Sequence, residues 1–196
     1  MADEILRKLA RKDVFPNLKT IVFAGHSAGG QFVTRYEMAN QVHDTLGVPV
    51  AYVVANPSAY AYLDADRPVP DGNDVRPFAD RANCTTYNRW RWPYGLQERA
   101  GYSARLSEDE LKKQLIARPV TYLFGQLDTL PIAGFDASCP AMAQGPHRLA
   151  RGLAFTSYIK QHYNAQHQAM VIPLCGHNAR CMFTADAALP VLFPKP

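Results

Sequence analysis

Residues 19–30 read Lys19-Thr-Ile-Val-Phe-Ala-Gly-His-Ser-Ala-Gly-Gly30, and the reading of the whole chain turns on them. Lys19 to Ala24 is a short apolar, β-branched run of the kind a buried parallel strand requires. Gly25 to Gly30 predicts a tight turn, followed by a helix from about Ala28 to Leu46. Gly25-His26-Ser27-Ala28-Gly29 fits Gly-x-Ser-x-Gly in the strand–turn–helix context where this pattern holds a serine on a strained bend. In that bend, side chains at positions 25 and 29 are expected to clash with the neighbouring strand or helix. The hydroxyl is then lifted out of the sheet at the positive end of the helix. The pentapeptide alone is weak, because Gly and Ser are common in turns; an ordinary strand-to-helix turn is the bland alternative.

A serine hydroxyl is a poor nucleophile near neutral pH and needs a base, which in turn needs an orienting acid. Val48 to Ala55 predicts a second buried strand, stopped by Asn56-Pro57. Val120 to Phe124 predicts a third, with Asp128 just beyond it in Phe124-Gly-Gln-Leu-Asp128. After a helix over about 145–163, Ala169 to Leu174 predicts a fourth strand, and His177 follows in Leu174-Cys-Gly-His-Asn178. Ser27, Asp128 and His177 thus each lie beyond a different strand, at the edge where open α/β sheets carry their sites. They also occur in the order serine, acid, histidine. Asp136 and the pair Asp64 and Asp66 are the competing acids. His26, His43, His147, His162 and His167 do not directly follow a strand, and His162 and His167 are expected to be solvated at a helix end.

Strands alternate with helices, so the expected class is α/β: a mostly parallel sheet with helices on both faces. Residues 2–13 predict a further helix. Ser107 with Glu110 reads as the capping box of another, and a last one is expected over Ala179 to Ala185. Residues 64–103 form a long, lid-like excursion rich in Pro, Asp, Asn, Arg and aromatics, and loops of this length are usually functional or disordered. Its Trp90 and Trp92, together with His26 beside Ser27, are the candidate substrate-binding residues. A small satellite core under a long loop is the alternative for the aromatics.

Gly25-His-Ser-Ala-Gly-Gly30, Phe124-Gly-Gln-Leu-Asp128 and Gly176-His177-Asn178 together resemble the α/β-hydrolase superfamily, its esterase-like serine hydrolases in particular. The stretches Tyr52-Val-Val-Ala-Asn-Pro-Ser58 and Gln144-Gly-Pro-His-Arg-Leu149 also resemble uncharacterised bacterial and fungal hydrolases. The resemblance implies a three-layer sandwich and acyl transfer: attack by Ser27, proton transfer to His177, orientation by Asp128. It also implies an oxyanion donor at the Ala28 N–H. A second donor normally comes from a loop well before the elbow. Here the elbow begins only 24 residues in, so the N-terminal strands are expected to be missing; a naturally minimal hydrolase, a truncated one and a subunit whose partner completes the sheet are the competing explanations. The sheet edge beside Lys19–Ala24 then needs a cover, either the first helix or a second copy in a homodimer.

The 196 residues fit a single domain, 1–196, and 47% hydrophobic with 19% charged residues is ordinary for a globular protein. The net charge of +4 is mild and scattered. One basic-aromatic stretch, Arg89-Trp-Arg-Trp92, is no basis for nucleic-acid binding. No run is long and apolar enough for a membrane span, and the N-terminus lacks the features of a signal peptide. No metal or organic cofactor is implied, because nucleophile, base and acid are all side chains. Cys175 and Cys181 flank His177 and are expected to pair, leaving Cys84 with Cys139. Paired cysteines would imply a periplasmic or secreted location, while four reduced buried thiols are the open alternative. Three functions compete: a carboxylic esterase on a small-molecule ester, an amidase or peptidase with the same triad, and a non-catalytic remnant of the fold.

Overall fold

The computed structural model describes residues 1–69, 74–90 and 95–195. Strands β1 (Ile21–His26) and β2 (Val50–Ala55) are followed by a small ribbon of β3 (Asp66–Pro68) and β4 (Val75–Pro77), then by β5 (Val120–Gly125) and β6 (Gln168–Ile172). β1, β2, β5 and β6 form one parallel sheet in the order β1-β2-β5-β6, while β3 and β4 pair antiparallel beside it. The helices are α1 (Ala2–Leu9), α2 (Ala28–Ala39), α3 (Glu108–Ala117), α4 (Cys139–Met142), α5 (Arg148–Tyr163), α6 (Ala179–Thr184) and α7 (Leu189–Leu192).

Side chains alternate across a strand, so each strand of a doubly covered sheet feeds two cores. Val50, Tyr52 and Val54 of β2 join Tyr122 and Phe124 of β5 in the larger core, with Leu6, Val33, Tyr36, Leu115 and Phe155 from α1, α2, α3 and α5. Val53 and Ala55 face the other way, with Leu123, Ile172 and Met182, and α7 contributes Val191 and Leu192 to that side. The class is the expected one, α/β with helices on both faces.

Element ends differ from the sequence reading where a buried side chain intervenes. The helix after the elbow stops at Ala39, short of Leu46, because Asn40 leaves the helical region at ψ 145°. Its Nδ2 donates to Tyr36 O (2.8 Å) and to Tyr52 Oη (3.0 Å), and its Oδ1 accepts the His43 N–H (3.0 Å). A buried asparagine competing for the local backbone ends a helix that apolar periodicity would continue. At α3 the reading holds: Ser107 and Glu110 form the reciprocal capping box.

Asp3 of α1 accepts hydrogen bonds from Tyr36 Oη (2.6 Å) and Tyr102 Oη (2.9 Å). The first helix is therefore docked on α2. Among the described residues β1 pairs with β2 only. The excursion is organised around Arg67, which is 2% exposed. Its guanidinium lies between the Tyr62 and Tyr87 rings, 4.5 and 5.0 Å from their centroids, and donates to Tyr87 O and Asn88 Oδ1. No helix among the described residues is long and apolar enough to cross a membrane.

One core group carries a pH dependence. Glu37 on α2 is fully buried and neither carboxyl oxygen has a hydrogen-bond partner among the described residues, although Arg118 bonds its backbone carbonyl. Burial pushes its pKa well above 4.5, with Arg118 opposing. The folded state therefore keeps a proton that the unfolded state loses, and stability falls as pH rises above about 4.5. Glu37→Gln removes this dependence. Urea unfolding from about pH 4 to about pH 8 is expected to show the variant gaining on the wild type, by up to about 1.4 kcal/mol per pH unit. Parallel pH curves for the two proteins would contradict it.

Candidate active site

Ser27 lies between β1 and α2 with φ 56° and ψ −120°, a conformation that costs a non-glycine residue energy. Neighbours hold it there. The Ser27 N–H donates to Ala55 O (2.9 Å), and Ser27 O accepts the Gln31 N–H (3.0 Å) in the first turn of α2. A Cβ at Gly25 would lie 2.4 Å from Gly29 O. The expected clash at Gly29 is absent: a Cβ there meets nothing within 4 Å. The second obligatory glycine is Gly30, where a Cβ would sit 2.8 Å from Ala55 O as α2 crosses the end of β2.

The loops after β5 and β6 are joined to each other. The Gln126 N–H donates to Ile172 O (3.0 Å), the Leu127 N–H to Cys175 O (2.8 Å), and the Leu174 N–H to Gln126 Oε1 (3.1 Å). Gly125 allows this approach, since a Cβ there would lie 2.6 Å from Cys175 O. Asn56, at the end of β2, ties both: its Oδ1 accepts the Gly125 N–H (2.8 Å) and its Nδ2 donates to Gly176 O (3.2 Å). Cys175 and Cys181 are paired around His177, with Cα atoms 5.7 Å apart, and Cys84 is paired with Cys139. Both pairings are those expected from the sequence.

Asp128 and His177, carried on these joined loops, meet Ser27. His177 Nδ1 is 2.8 Å from Asp128 Oδ2, and His177 Nε2 is 2.9 Å from Ser27 Oγ. A carboxylate only accepts, so Nδ1 carries the ring proton and Nε2 offers its lone pair to the Ser27 hydroxyl. The Ala28 N–H opens α2, among the first amides of the helix, which lack intrahelical carbonyl partners.

The other acids are engaged elsewhere. Asp136 accepts the Ser138 N–H, and Asp64 accepts Tyr163 Oη (2.7 Å) and the Asp66 N–H. Among the other histidines, His43 pairs with Tyr52 Oη and His147 caps α5. His167, expected to be solvated, instead donates from Nε2 to Leu115 O (2.6 Å) beneath Tyr122.

His26 does reach the site. Its ring centroid is 4.7 Å from that of His177, and Asn56 Nδ2 lies 3.5 Å from its Nε2. Burial first, and then the facing His177 ring, lower its pKa to about 4. Trp90 does not reach the site. Its carbonyl accepts from Arg35 Nη2 (3.1 Å), and the Arg35 guanidinium lies 5.8 Å from its ring centroid, on a face of α2 two turns past Ser27. There Trp90, Tyr36 and Tyr102 help to line a groove of about 400 Å³. The position of Trp90 gives it a cation–π contact and a packing role on α2. Trp92 lies outside the described residues. Sequence reading missed two residues that organise the site: Asn56, read only as a strand stop, and Arg148, which ion-pairs with Asp128 Oδ1 at 3.4 Å. The stretch Gln144–Leu149 contains Arg148, but no spacing links it to position 128.

The fold and the site can be compared with known structures. The LpqC poly(3-hydroxybutyrate) depolymerase from Bordetella parapertussis superposes with a TM-score of 0.63 at 26% identity, over 94% of this chain and 54% of that one. Its fold is that of the α/β-hydrolases. Poly(aspartic acid) hydrolase-1 from Sphingomonas sp. KT-1 superposes on this α/β-hydrolase chain with a TM-score of 0.54 at 28% identity, over 81% of this chain and 50% of that one. The chain therefore spans about half the length of each solved structure it matches. No protein-family model and no curated protein matches the sequence.

Two outcomes follow for this α/β-hydrolase elbow and its neighbour. Gly25→Ala is expected to destabilise the fold by several kcal/mol through a backbone clash, whereas Gly29→Ala is expected to be neutral or to stabilise by up to about 1 kcal/mol. Thermal melts of the two variants separate these cases, and equal losses would contradict the assignment of the tight positions. His26 is expected to titrate near 4 by NMR. Because that value lies below the 6.5 of an unfolded histidine, its contribution is a loss of stability as pH falls through that window. A midpoint near 6.5 would place the ring in solvent.

Proposed function

We propose that this chain is a serine hydrolase that cleaves carboxylic esters through an acyl-enzyme on Ser27. The observation that carries the reading is the unbroken row from Ser27 Oγ through His177 to Asp128, with contacts of 2.9 and 2.8 Å. His177 Nε2 takes the hydroxyl proton as Ser27 Oγ bonds to the ester carbonyl carbon. The carbonyl π electrons move to oxygen, which the Ala28 N–H stabilises. Collapse expels the alkoxide, which leaves as alcohol with the proton from His177. Water then repeats the sequence on the acyl-enzyme and releases the acid. Asp128 holds the ring tautomer and faces the imidazolium while it exists. His26, neutral above about 4, presents an uncharged ring to that imidazolium.

Two features support an ester with an apolar acyl part. Leu127 (52% exposed) and Leu130 (58%) flank Asp128, while Leu174 (80%) precedes His177, so the loops bearing the acid and the base expose apolar side chains. The depolymerase neighbour is named for a polyester. The second neighbour is named for poly(aspartic acid), a polyamide, which keeps amide hydrolysis as the second reading with the same residues.

Ser27→Ala is expected to abolish hydrolysis of p-nitrophenyl butyrate, with a loss of about 10³-fold or more, while the melting temperature stays within a few degrees. A fluorophosphonate probe is expected to label the wild type at Ser27 and not the variant. Undiminished hydrolysis by Ser27→Ala would overturn the ester reading; turnover of the matching anilide at a rate equal to the ester would favour the amidase.

A further inference from the structure

Arg148 is the first residue of α5, is 1% exposed and sits against Asp128 on the side away from His177. Nη1 donates to Asp128 Oδ1 (3.4 Å), the oxygen that His177 does not use. The rest of the guanidinium is held by groups that do not depend on Asp128. Nε donates to Ser58 Oγ (3.1 Å), beyond β2, and Nη2 donates to the carbonyls of Ile132 and Ala133 (both 3.0 Å) in the acid's own loop. The Phe135 ring covers it, its centroid 5.3 Å from Arg148 Cζ. The helix start also reaches Asp128 directly, since the Leu149 N–H donates to Asp128 O (3.3 Å).

We propose that Arg148 is a positioning residue for the reaction above: its anchored guanidinium fixes the rotation of the Asp128 carboxylate so that Oδ2 stays in line with His177 Nδ1. The inference rests on the serine-hydrolase reading. A planar guanidinium held by three protein oxygens presents its remaining N–H in one direction, which a flexible ammonium cannot do. Were the carboxylate free to turn about χ2, Nδ1–H would lose its partner for part of the time. The ring would then no longer be held in the tautomer that leaves Nε2 free to take the serine proton. That fault appears when the proton moves, not when substrate binds. The effect therefore falls on kcat and leaves KM unchanged. Arg148 touches neither substrate nor the reacting atoms and acts only through Asp128.

The test is a double-mutant cycle on p-nitrophenyl butyrate, with rates expressed per Ser27 labelled by the fluorophosphonate probe so that unfolded protein does not count. Arg148→Met is expected to lower kcat about 10–100-fold with KM within about 2-fold, the scale on which groups that orient a functional side chain act. In the Asp128→Asn background, where the carboxylate is already gone, the same change is expected to lower kcat less than about 3-fold further. Arg148→Lys, which keeps the charge without the planar fork, covers the case in which the methionine variant does not fold. It is expected to lose kcat in the wild-type background and little in the Asp128→Asn background. Equal losses in both backgrounds, or a kcat per labelled serine equal to wild type, would overturn the proposal. If Ser27→Ala keeps full activity, the serine-hydrolase reading is what fails, and the two failures are told apart.

Discussion

Asp128 is 2% exposed, and a carboxylate removed from water must be met by donors or charge on both oxygens. Here one oxygen faces His177 and the other faces Arg148, which is itself 1% exposed. Removing one partner from such a buried pair commonly costs about 3–5 kcal/mol. Arg148 enters at the start of α5, and the Ser58 hydroxyl and the carbonyls of Ile132 and Ala133 accept from the donors it brings with it. The acid, the start of α5 and the loop after β2 form one electrostatic unit.

The second constraint is the closeness of the strand ends. Asn56 spans β5 and the His177 loop through one amide, and Gly125 removes the Cβ that would keep them apart. The strained Ser27 is supported in the same manner, between Gly25 under α2 and Gly30 against the end of β2. Backbone strain persists at one residue because several neighbours over-determine it. The site is thereby assembled from contacts between backbones, with the proposed functional side chains projecting from a rigid edge.

The expected sheet, its strands and the row of Ser27, Asp128 and His177 were legible because they depend on local signals. Apolar β-branched runs mark strands buried on both faces, and groups placed just past such strands emerge at one edge. The pairing of Cys175 with Cys181 was legible for a similar reason, since the two lie six positions apart. The early end of α2 at Asn40 was not legible, because its partner Tyr52 lies on a strand and decides the outcome through a tertiary hydrogen bond. The placement of Trp90 on α2 was not legible for the same reason. An aromatic in a loop has no periodicity to say which face it covers, and Arg35 captured it on α2.

The order of strands and helices, the glycines of the elbow and the three polar groups beyond three strands belong to the sequence alone, since hydrophobic period and turn chemistry act over a few residues. Which glycine is crowded, which histidine packs against the base and which arginine stands behind the acid were decided by the folded chain. Those properties depend on distances between segments far apart in sequence. His26 lies 4.7 Å from the ring of His177, and Arg148 is 3.4 Å from Asp128, only because a parallel sheet collects its strand ends on one side.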